Sequence, residues 1–459
     1  MRVRECLIGV NAGLCLATPA HAHVSEGAFI LLLPTETYRA AGVAVVALTV
    51  LLVLFASNRL VEGLFASGPE RTVSWERAQT ITSLFSFAAM LFVLWLGMNG
   101  PRDPLSNLLP LSFWTVGWVA LVSLCGFFGN IWLWLNPWSG FYAVIGRPKP
   151  IWALPESFGF WPAVLLLIGF AGFLLADIAP DDPARLSQFL GLYWFGVMVG
   201  LIMFGPGFLD RCELGHAIME AYGRLAPVFQ SKNSVGLSGP GANLIQNPPV
   251  PAAGVFAITL LAIGSFDGLN ETFWWLGQLD VNPLEFPGRS AVVRETWAGL
   301  IGAAALLLAS VAFAVWLGLM FVNRPPAFWP AFNWLGLSLL PIALAYHIAH
   351  YLPSFLVQGQ YVIAAMSDPF AKGWDLLGIE PFRVTTGFFN RIESVRVIWL
   401  TQAGAVVIGH VWSILLSHAI ALKVFGNQRD AVRATLPLSV FMIAFTMLGL
   451  WLLAAPKGA

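Results

Sequence analysis

Residues 332–351 read FNWLGLSLLPIALAYHIAHY, a run of twenty residues without Asp, Glu, Lys or Arg. A helix of about twenty apolar residues is long enough to cross the ~30 Å hydrocarbon layer of a bilayer. Because backbone amides and carbonyls cannot stay unpaired in lipid, a run of this kind must be helical. The stretch therefore predicts a membrane-spanning helix that carries two histidines near its C-terminal end.

Similar apolar runs recur along the whole chain. The sequence is 58% hydrophobic and 10% charged, with a mean hydropathy of +0.75, whereas globular proteins are roughly 45–50% apolar and about 25% charged. We therefore predict an integral membrane protein of the all-α class, a polytopic transmembrane helical bundle with about ten spans in the lipid bilayer. The predicted spans are residues 38–57, 81–98, 112–135, 160–178, 187–206, 251–267, 296–321, 332–351, 397–421 and 435–454.

Residues 1–22 have the features of a signal peptide. Arg2 and Arg4 precede an apolar run, and Ala20-His21-Ala22 fits the pattern before a cleavage site. The apolar run is shorter than the ~20 residues of a spanning helix, which favours cleavage over the alternative of an uncleaved first helix. Cleavage would leave residues 23–459 as a single integral membrane domain. Its first residue, His23, would be either a free terminus or a Cu(II) ligand through its amine and imidazole.

The signal peptide also sets the predicted orientation, with the mature N-terminus in the periplasm and the protein in a bacterial inner membrane. In this orientation the inside loops hold twelve Lys and Arg and the outside segments ten, in agreement with the positive-inside rule. Three connecting segments are long, namely 268–295 and 352–396 outside and 207–250 inside. The net charge is zero and no basic block appears, which excludes the usual surface of a nucleic-acid-binding protein.

His347 and His350 are the strongest candidates for a functional site, because ionisable side chains at membrane depth usually mark a functional interior. Residues three apart on a helix differ by about 60° in direction and ~4.5 Å in height, so both imidazoles can face one metal ion. His410 lies near mid-membrane in the next span and is the predicted third ligand. Zinc or copper would suit imidazole ligands, but the sequence does not identify the cofactor. The alternative is that each imidazole hydrogen-bonds a neighbouring helix; His418 is predicted to be an interfacial or packing residue.

Two carboxylates lie at the end of the sixth predicted span, in the segment Gly264-Ser-Phe-Asp-Gly-Leu-Asn-Glu271. Asp267 and Glu271 are one turn apart if the helix continues that far, and both could then face the histidines as catalytic groups. Glycine and Asn are equally typical of a helix cap and turn, so a structural role for this segment stays open.

Five segments carry a family resemblance: Asp103-Pro-Leu-Ser-Asn107, Asn136-Pro-Trp138, Gly264-Ser-Phe-Asp-Gly268, Ala345-Tyr-His-Ile-Ala-His-Tyr351 with Gln358-Gly-Gln360, and Gly409-His410. They resemble a family of bacterial multi-pass proteins labelled fenitrothion hydrolase. The resemblance implies cleavage of a P–O bond in an organophosphate triester, a hydrophobic small molecule. Enzymes of that type commonly use a metal to generate hydroxide. In that case His347, His350 and His410 or Asp267 would hold the ion, with Asp267 or Glu271 as the base.

Two other functions remain open on the sequence. A transporter or metal-handling protein fits the intramembrane histidines, the interrupted span ends at Gly205-Pro206-Gly207 and Pro353, and the long inside loop. A non-catalytic subunit would instead use its long outside loops to bind a periplasmic protein partner, whose identity the sequence does not give.

Overall fold

The computed structural model describes residues 30, 32–55, 58–230, 234–379 and 381–457. The predicted signal peptide and His23 lie outside these residues. The described part of the chain is a bundle of helices, and the predicted fold class is confirmed. The protein is a multi-pass membrane protein.

Ten apolar helices form the bundle within the described ranges. All except the fourth are long enough and apolar enough to cross a membrane. In chain order they are α1 (Thr35–Phe55), α2 (Glu76–Asn99), α3 (Leu108–Phe128), α4 (Trp161–Ala176), α5 (Pro183–Phe204), α6 (Ala253–Asn270), α7 (Val293–Met320), α8 (Phe328–Ser367), α9 (Ile392–Phe425) and α10 (Gln428–Ala454). We call the end of the bundle at the start of α1 the A end, and the end at the start of α2 the B end.

Helix α4 has only 16 residues, yet its contacts show that it joins the two ends of the bundle. Just before α4, the amide of Phe160 donates to the carbonyl of Pro251, which precedes α6 at the B end (2.8 Å). After α4, the carbonyl of Pro180 accepts from the indole of Trp114, near the A-end start of α3 (3.3 Å). The chain therefore crosses the bundle along α4, and α4 takes the place of the fourth predicted span.

Two of the helices are interrupted. Helix α3 consists of Leu108–Pro110, the π-helix Leu111–Leu121 and Val122–Phe128. Helix α8 consists of Phe328–Leu337 and Leu340–Ser367, and the second part contains Pro353. The helix thus continues into the segment 352–396 that was expected to be a loop, since a membrane helix tolerates proline when neighbouring groups satisfy the freed backbone.

Shorter elements connect the helices. The strands β1 (Ser67–Thr72), β2 (Val228–Gln230) and β3 (Ser234–Ser238) form an antiparallel sheet in the order β1-β3-β2. The sheet lies at the B end, because β1 precedes α2, and it gives structure to part of the predicted inside loop 207–250. The remaining short helices are Asn58–Leu64, Trp132–Leu135, Ser139–Val144, Glu156–Phe158, Gly207–Cys212, Leu214–Gly223, Ala242–Gln246, Phe273–Gln278, Pro283–Glu285, Arg289–Ala291 and Gly387–Asn390.

The core of the bundle is built around α6 and α8. In each of these helices 78% of the most apolar window is buried, against 28% or less in α1, α2 and α7. The outer helices therefore present apolar side chains to lipid, while α6 and α8 are enclosed by protein. These two central helices carry Asp267 and the histidines at positions 347 and 350.

Small residues let some helices pack backbone to backbone. A Cβ atom added to Gly318 of α7 would lie 2.0 Å from the carbonyl oxygen of Ala434 in α10. We expect Gly318→Ala to lower the free energy of unfolding by about 1–3 kcal/mol, because backbone cannot move aside cheaply. The measurement is a denaturant titration of purified protein in mixed micelles.

Gly302 provides the matched control on the same helix. A Cβ atom there meets nothing within 4 Å, so Gly302→Ala should leave stability unchanged or slightly raise it, since alanine is the better helix former. Equal losses in the two variants would contradict the close α7–α10 contact.

Candidate functional site

Four buried or partly buried side chains meet between α6 and α8, one turn from the A-end terminus of α6. We call Asp267, Tyr346, His350 and Tyr351 the His350 cluster. Asp267 comes from α6, and the other three come from α8. Asp267 is only 6% exposed, so its carboxylate depends on protein groups rather than bulk water for hydrogen bonds.

Asp267 receives two hydrogen bonds on one carboxylate oxygen. Its Oδ2 lies 3.1 Å from Nε2 of His350 and accepts from the hydroxyl of Tyr351 at 2.5 Å. A carboxylate can only accept, so the bond to Asp267 places a proton on Nε2 of His350. In the neutral ring, Nδ1 is then the unprotonated nitrogen. Asp267 therefore fixes both the orientation and the tautomer of His350.

Two polar atoms of the cluster are buried without a partner among the described residues, namely Nδ1 of His350 and the hydroxyl of Tyr346. Their rings stack at 5.9 Å with an angle of 9° between planes. A Cβ atom on Gly268 would clash with the Tyr346 hydroxyl and would lie 3.7 Å from Nδ1, so both atoms lie close to the backbone of Gly268. Unsatisfied buried polar groups are uncommon and often mark a functional site.

His347 makes a different kind of contact. Its Nε2 donates to the carbonyl of Trp118 at 3.0 Å, and its ring packs edge-on against the Trp118 ring at 5.0 Å. Trp118 lies in the π-helical part of α3, where the hydrogen-bonding pattern differs from that of an α-helix; π segments frequently occur at functional sites. His347 thus joins α8 to α3 through a nitrogen that is no longer free to bind a metal.

His410 and Glu271 are not part of the His350 cluster. His410 directs Nδ1 to the carbonyl of Val406 in its own helix (2.8 Å), and its Nε2 is buried without a partner in the described chain. Glu271 follows the end of α6, is 47% exposed through its side chain, and lies 3.7 Å from the ammonium group of Lys457. Of the two predicted catalytic carboxylates, the structure places only Asp267 against a histidine.

The predicted metal ligands do not form a shared coordination site in this geometry. Within the residues that the structure describes, no three His, Cys, Asp or Glu side chains converge where they could hold one ion. His347 and His350 are neighbours, but Nε2 of His347 is engaged by a carbonyl and Nε2 of His350 by a carboxylate. The metal site stays a prediction, and metal analysis of the purified protein is its test.

A cavity of about 350 Å³ lies at the B end of the bundle, whereas the His350 cluster lies near the A end. The buried carboxylate that borders it, Glu213, is fully satisfied. It accepts from the hydroxyl of Tyr193 (2.7 Å), the indole of Trp132 (2.8 Å) and two backbone amides at the start of the helix Leu214–Gly223. Glu213 therefore acts as a helix cap, in contrast to the unsatisfied atoms of the His350 cluster.

Asp267 and His350 have the arrangement of a carboxylate that supports a histidine general base. An aspartate that holds one ring nitrogen of a histidine leaves the other nitrogen free to accept a proton, and it stabilises the imidazolium that forms. The tyrosines were missing from the sequence-based site. Their signal was present, since Tyr346 and Tyr351 flank the two histidines directly, but only the fold shows that one binds Asp267 and that the other borders Nδ1 of His350.

Comparison with known proteins adds no relative to this picture. A scan of protein-family models, a search of curated proteins and a search of solved structures found no match to the chain. The chemistry of the His350 cluster is therefore the ground on which a function can be proposed.

Proposed function

We propose that this membrane protein is a hydrolase of hydrophobic esters, with His350 as its general base. The observation that carries the proposal is the contact between Asp267 and Nε2 of His350 (3.1 Å), together with the unpartnered Nδ1 on the same ring. Organophosphate triesters are the substrate class that the sequence resemblance implies. The predicted orientation would place the A end, and with it the site, on the periplasmic side of an inner membrane.

The reaction would proceed by attack of water on phosphorus. Nδ1 of His350 takes one proton from the water as its oxygen forms the new P–O bond. The bond to the most acidic alcohol or phenol breaks, and this group leaves as its anion. Asp267 stabilises the imidazolium until the proton passes to solvent. The hydroxyl of Tyr346 can donate to the phosphoryl oxygen as negative charge develops there.

A buried site in the membrane suits an apolar substrate. The side chains of His350 and Asp267 are 8% and 9% exposed, so the substrate must displace protein or lipid rather than diffuse in through open water. Exclusion of water also strengthens the electrostatic contacts that favour the transition state. A triester that partitions into the bilayer would therefore reach the site more readily than a charged diester.

The test is hydrolysis of a dialkyl 4-nitrophenyl phosphate by protein in lipid nanodiscs, followed by the absorbance of 4-nitrophenolate. We expect release above that of empty nanodiscs, and the reaction in H₂¹⁸O should place the label in the dialkyl phosphate and not in the phenol. His216→Gln, a change at the B end, should keep the wild-type rate. No release from triesters or carboxylic esters would contradict the proposal.

A proton-coupled carrier is the second candidate, and the interrupted helices favour it. The π-helix Leu111–Leu121 and the broken helix α8 both contribute to the region around His350. Carriers commonly place their sites where spanning helices are discontinuous, and an Asp–His pair could carry the coupled proton. Proteoliposomes that accumulate the triester unchanged, with alkalinisation of the outer medium, would favour this function over hydrolysis.

A further inference from the structure

Outside the His350 cluster, His418 of α9 is the most poorly satisfied buried side chain that the structure describes. It is 1% exposed, and both of its ring nitrogens lack a hydrogen-bond partner among the described residues. A neutral imidazole has one N–H donor and one acceptor, and each buried group left unsatisfied costs about 1–3 kcal/mol. If His418 were only packed among apolar side chains, no hydrogen bond would offset the free-energy cost of its two unpartnered ring nitrogens.

A small cavity lies against His418, where α1, α9 and α10 meet near the B end. Its volume of about 10 Å³ is close to the minimum that holds one water molecule. The cavity is lined on one side by apolar residues of α1, such as Val50 and Val53, and on the other by the hydroxyl-bearing residues Ser417, Thr435 and Ser439. Among the lining residues that the structure describes, His418 is the one that can titrate.

The hydroxyl groups continue from this cavity into the bundle. His410, Ser413 and Ser417 are spaced three and four residues apart on α9, so they share one helix face, and all are buried. Ser413 also contacts the sulfur of Met442 in α10 at 3.7 Å. We call this strip of α9, with Thr435 and Ser439 of α10, the polar seam; it ends at the unpartnered Nε2 of His410.

We propose that ordered water fills the cavity beside His418, and that His418 exchanges protons with this water from the B side of the membrane. Water would supply the missing donor and acceptor contacts of the ring, and a buried water typically makes 2–4 such bonds. The hydroxyls of Ser417 and Thr435 donate to backbone carbonyls, so their oxygens can accept hydrogen bonds from this water. This inference does not depend on ester hydrolysis, since no residue of the His350 cluster takes part in it.

The role of the cavity can be tested at two adjacent positions of α10. Ser439 is 6% exposed and lines the cavity, whereas Val440 is 59% exposed on the outer surface of the bundle. Ser439→Val removes a hydroxyl and fills the space beside His418, so it should slow the exchange of the C2 hydrogen of the His418 ring for deuterium at least tenfold. Val440→Ala should leave this exchange unchanged. Equal exchange rates in the two variants would overturn the proposal.

Proton exchange at His418 can be followed in the wild-type chain, which removes any concern about folding of a variant. Deuterium replaces the C2 hydrogen of a histidine ring only where water reaches the ring and the ring is protonated part of the time. Mass spectrometry should show His418 exchanging within tenfold of His216 at the B end, and His347 much more slowly. No exchange at His418 would overturn its role, whether or not the protein hydrolyses esters.

Discussion

Replacement of His350 with glutamine is expected to slow triester hydrolysis by about 10²–10⁴-fold, the range that general-base catalysis usually contributes. Glutamine can still donate a hydrogen bond to Asp267, so the packing of α6 against α8 should persist. It cannot accept a proton from water at neutral pH. The loss should therefore lie in kcat, measured as 4-nitrophenolate release in nanodiscs.

His347→Gln separates this mechanism from a metal site. Glutamine can keep the bond from α8 to the carbonyl of Trp118, so with His350 as a lone base the rate should stay within about threefold of wild type. If His347 and His350 instead share a metal ion, both variants should be inactive and should lose a stoichiometric metal from the purified protein. Full activity of His350→Gln would remove His350 from the mechanism altogether.

Replacement of Asp267 should affect both activity and stability, in ways that depend on the new side chain. Asp267→Ala leaves the N–H of His350 and the hydroxyl of Tyr351 without their acceptor. Each unsatisfied buried group costs about 1–3 kcal/mol, so we expect the loss of both bonds to lower the free energy of unfolding by about 2–6 kcal/mol. The measurement is denaturant unfolding in mixed micelles.

Asp267→Asn should retain most of this stability but lose activity by about 10²–10⁴-fold. The asparagine amide can donate to Nε2 of His350, which favours the tautomer with its proton on Nδ1, and that nitrogen is then no longer a base. Glu271→Gln is the matched control, because the side chain is half exposed and surface changes usually stay within about 0.5 kcal/mol. If Asp267→Asn were fully active, the carboxylate would have no role in fixing the tautomer.

Hydropathy predicted the bundle well, because lipid leaves helices as the stable form for long apolar runs. Where helices end was harder to predict. Pro353 marks the end of an apolar span in sequence, but in the fold it lies inside α8, which continues to Ser367. Nor did the sequence predict the sheet: β1 and β3 are short, and they pair across about 160 residues. No local pattern reports contacts between such distant segments.

Part of the candidate site was also accessible from sequence. Charged groups and histidines at membrane depth are costly, so Asp267 and His350 stood out before their contact was known. Tyr346 and Tyr351 did not, because aromatic residues are common near the ends of spanning helices. His410 was predicted to join His347 and His350 only because of its predicted depth in the membrane. Its ring nitrogen turns back to its own helix at Val406, a choice of rotamer that depth does not predict.

The sheet at the B end has a consequence for how the protein is made. About 160 residues separate β1 from β3, and at roughly 5–20 residues per second the ribosome needs on the order of ten seconds or more to synthesise them. During that time α2 to α5 enter the membrane while β1 has no partner strand. Its unpaired backbone N–H and C=O groups can then pair with other chains. Chains that stall after α5 should therefore be the ones that quality-control proteases remove, and completion of β3 is the step that ends this vulnerability.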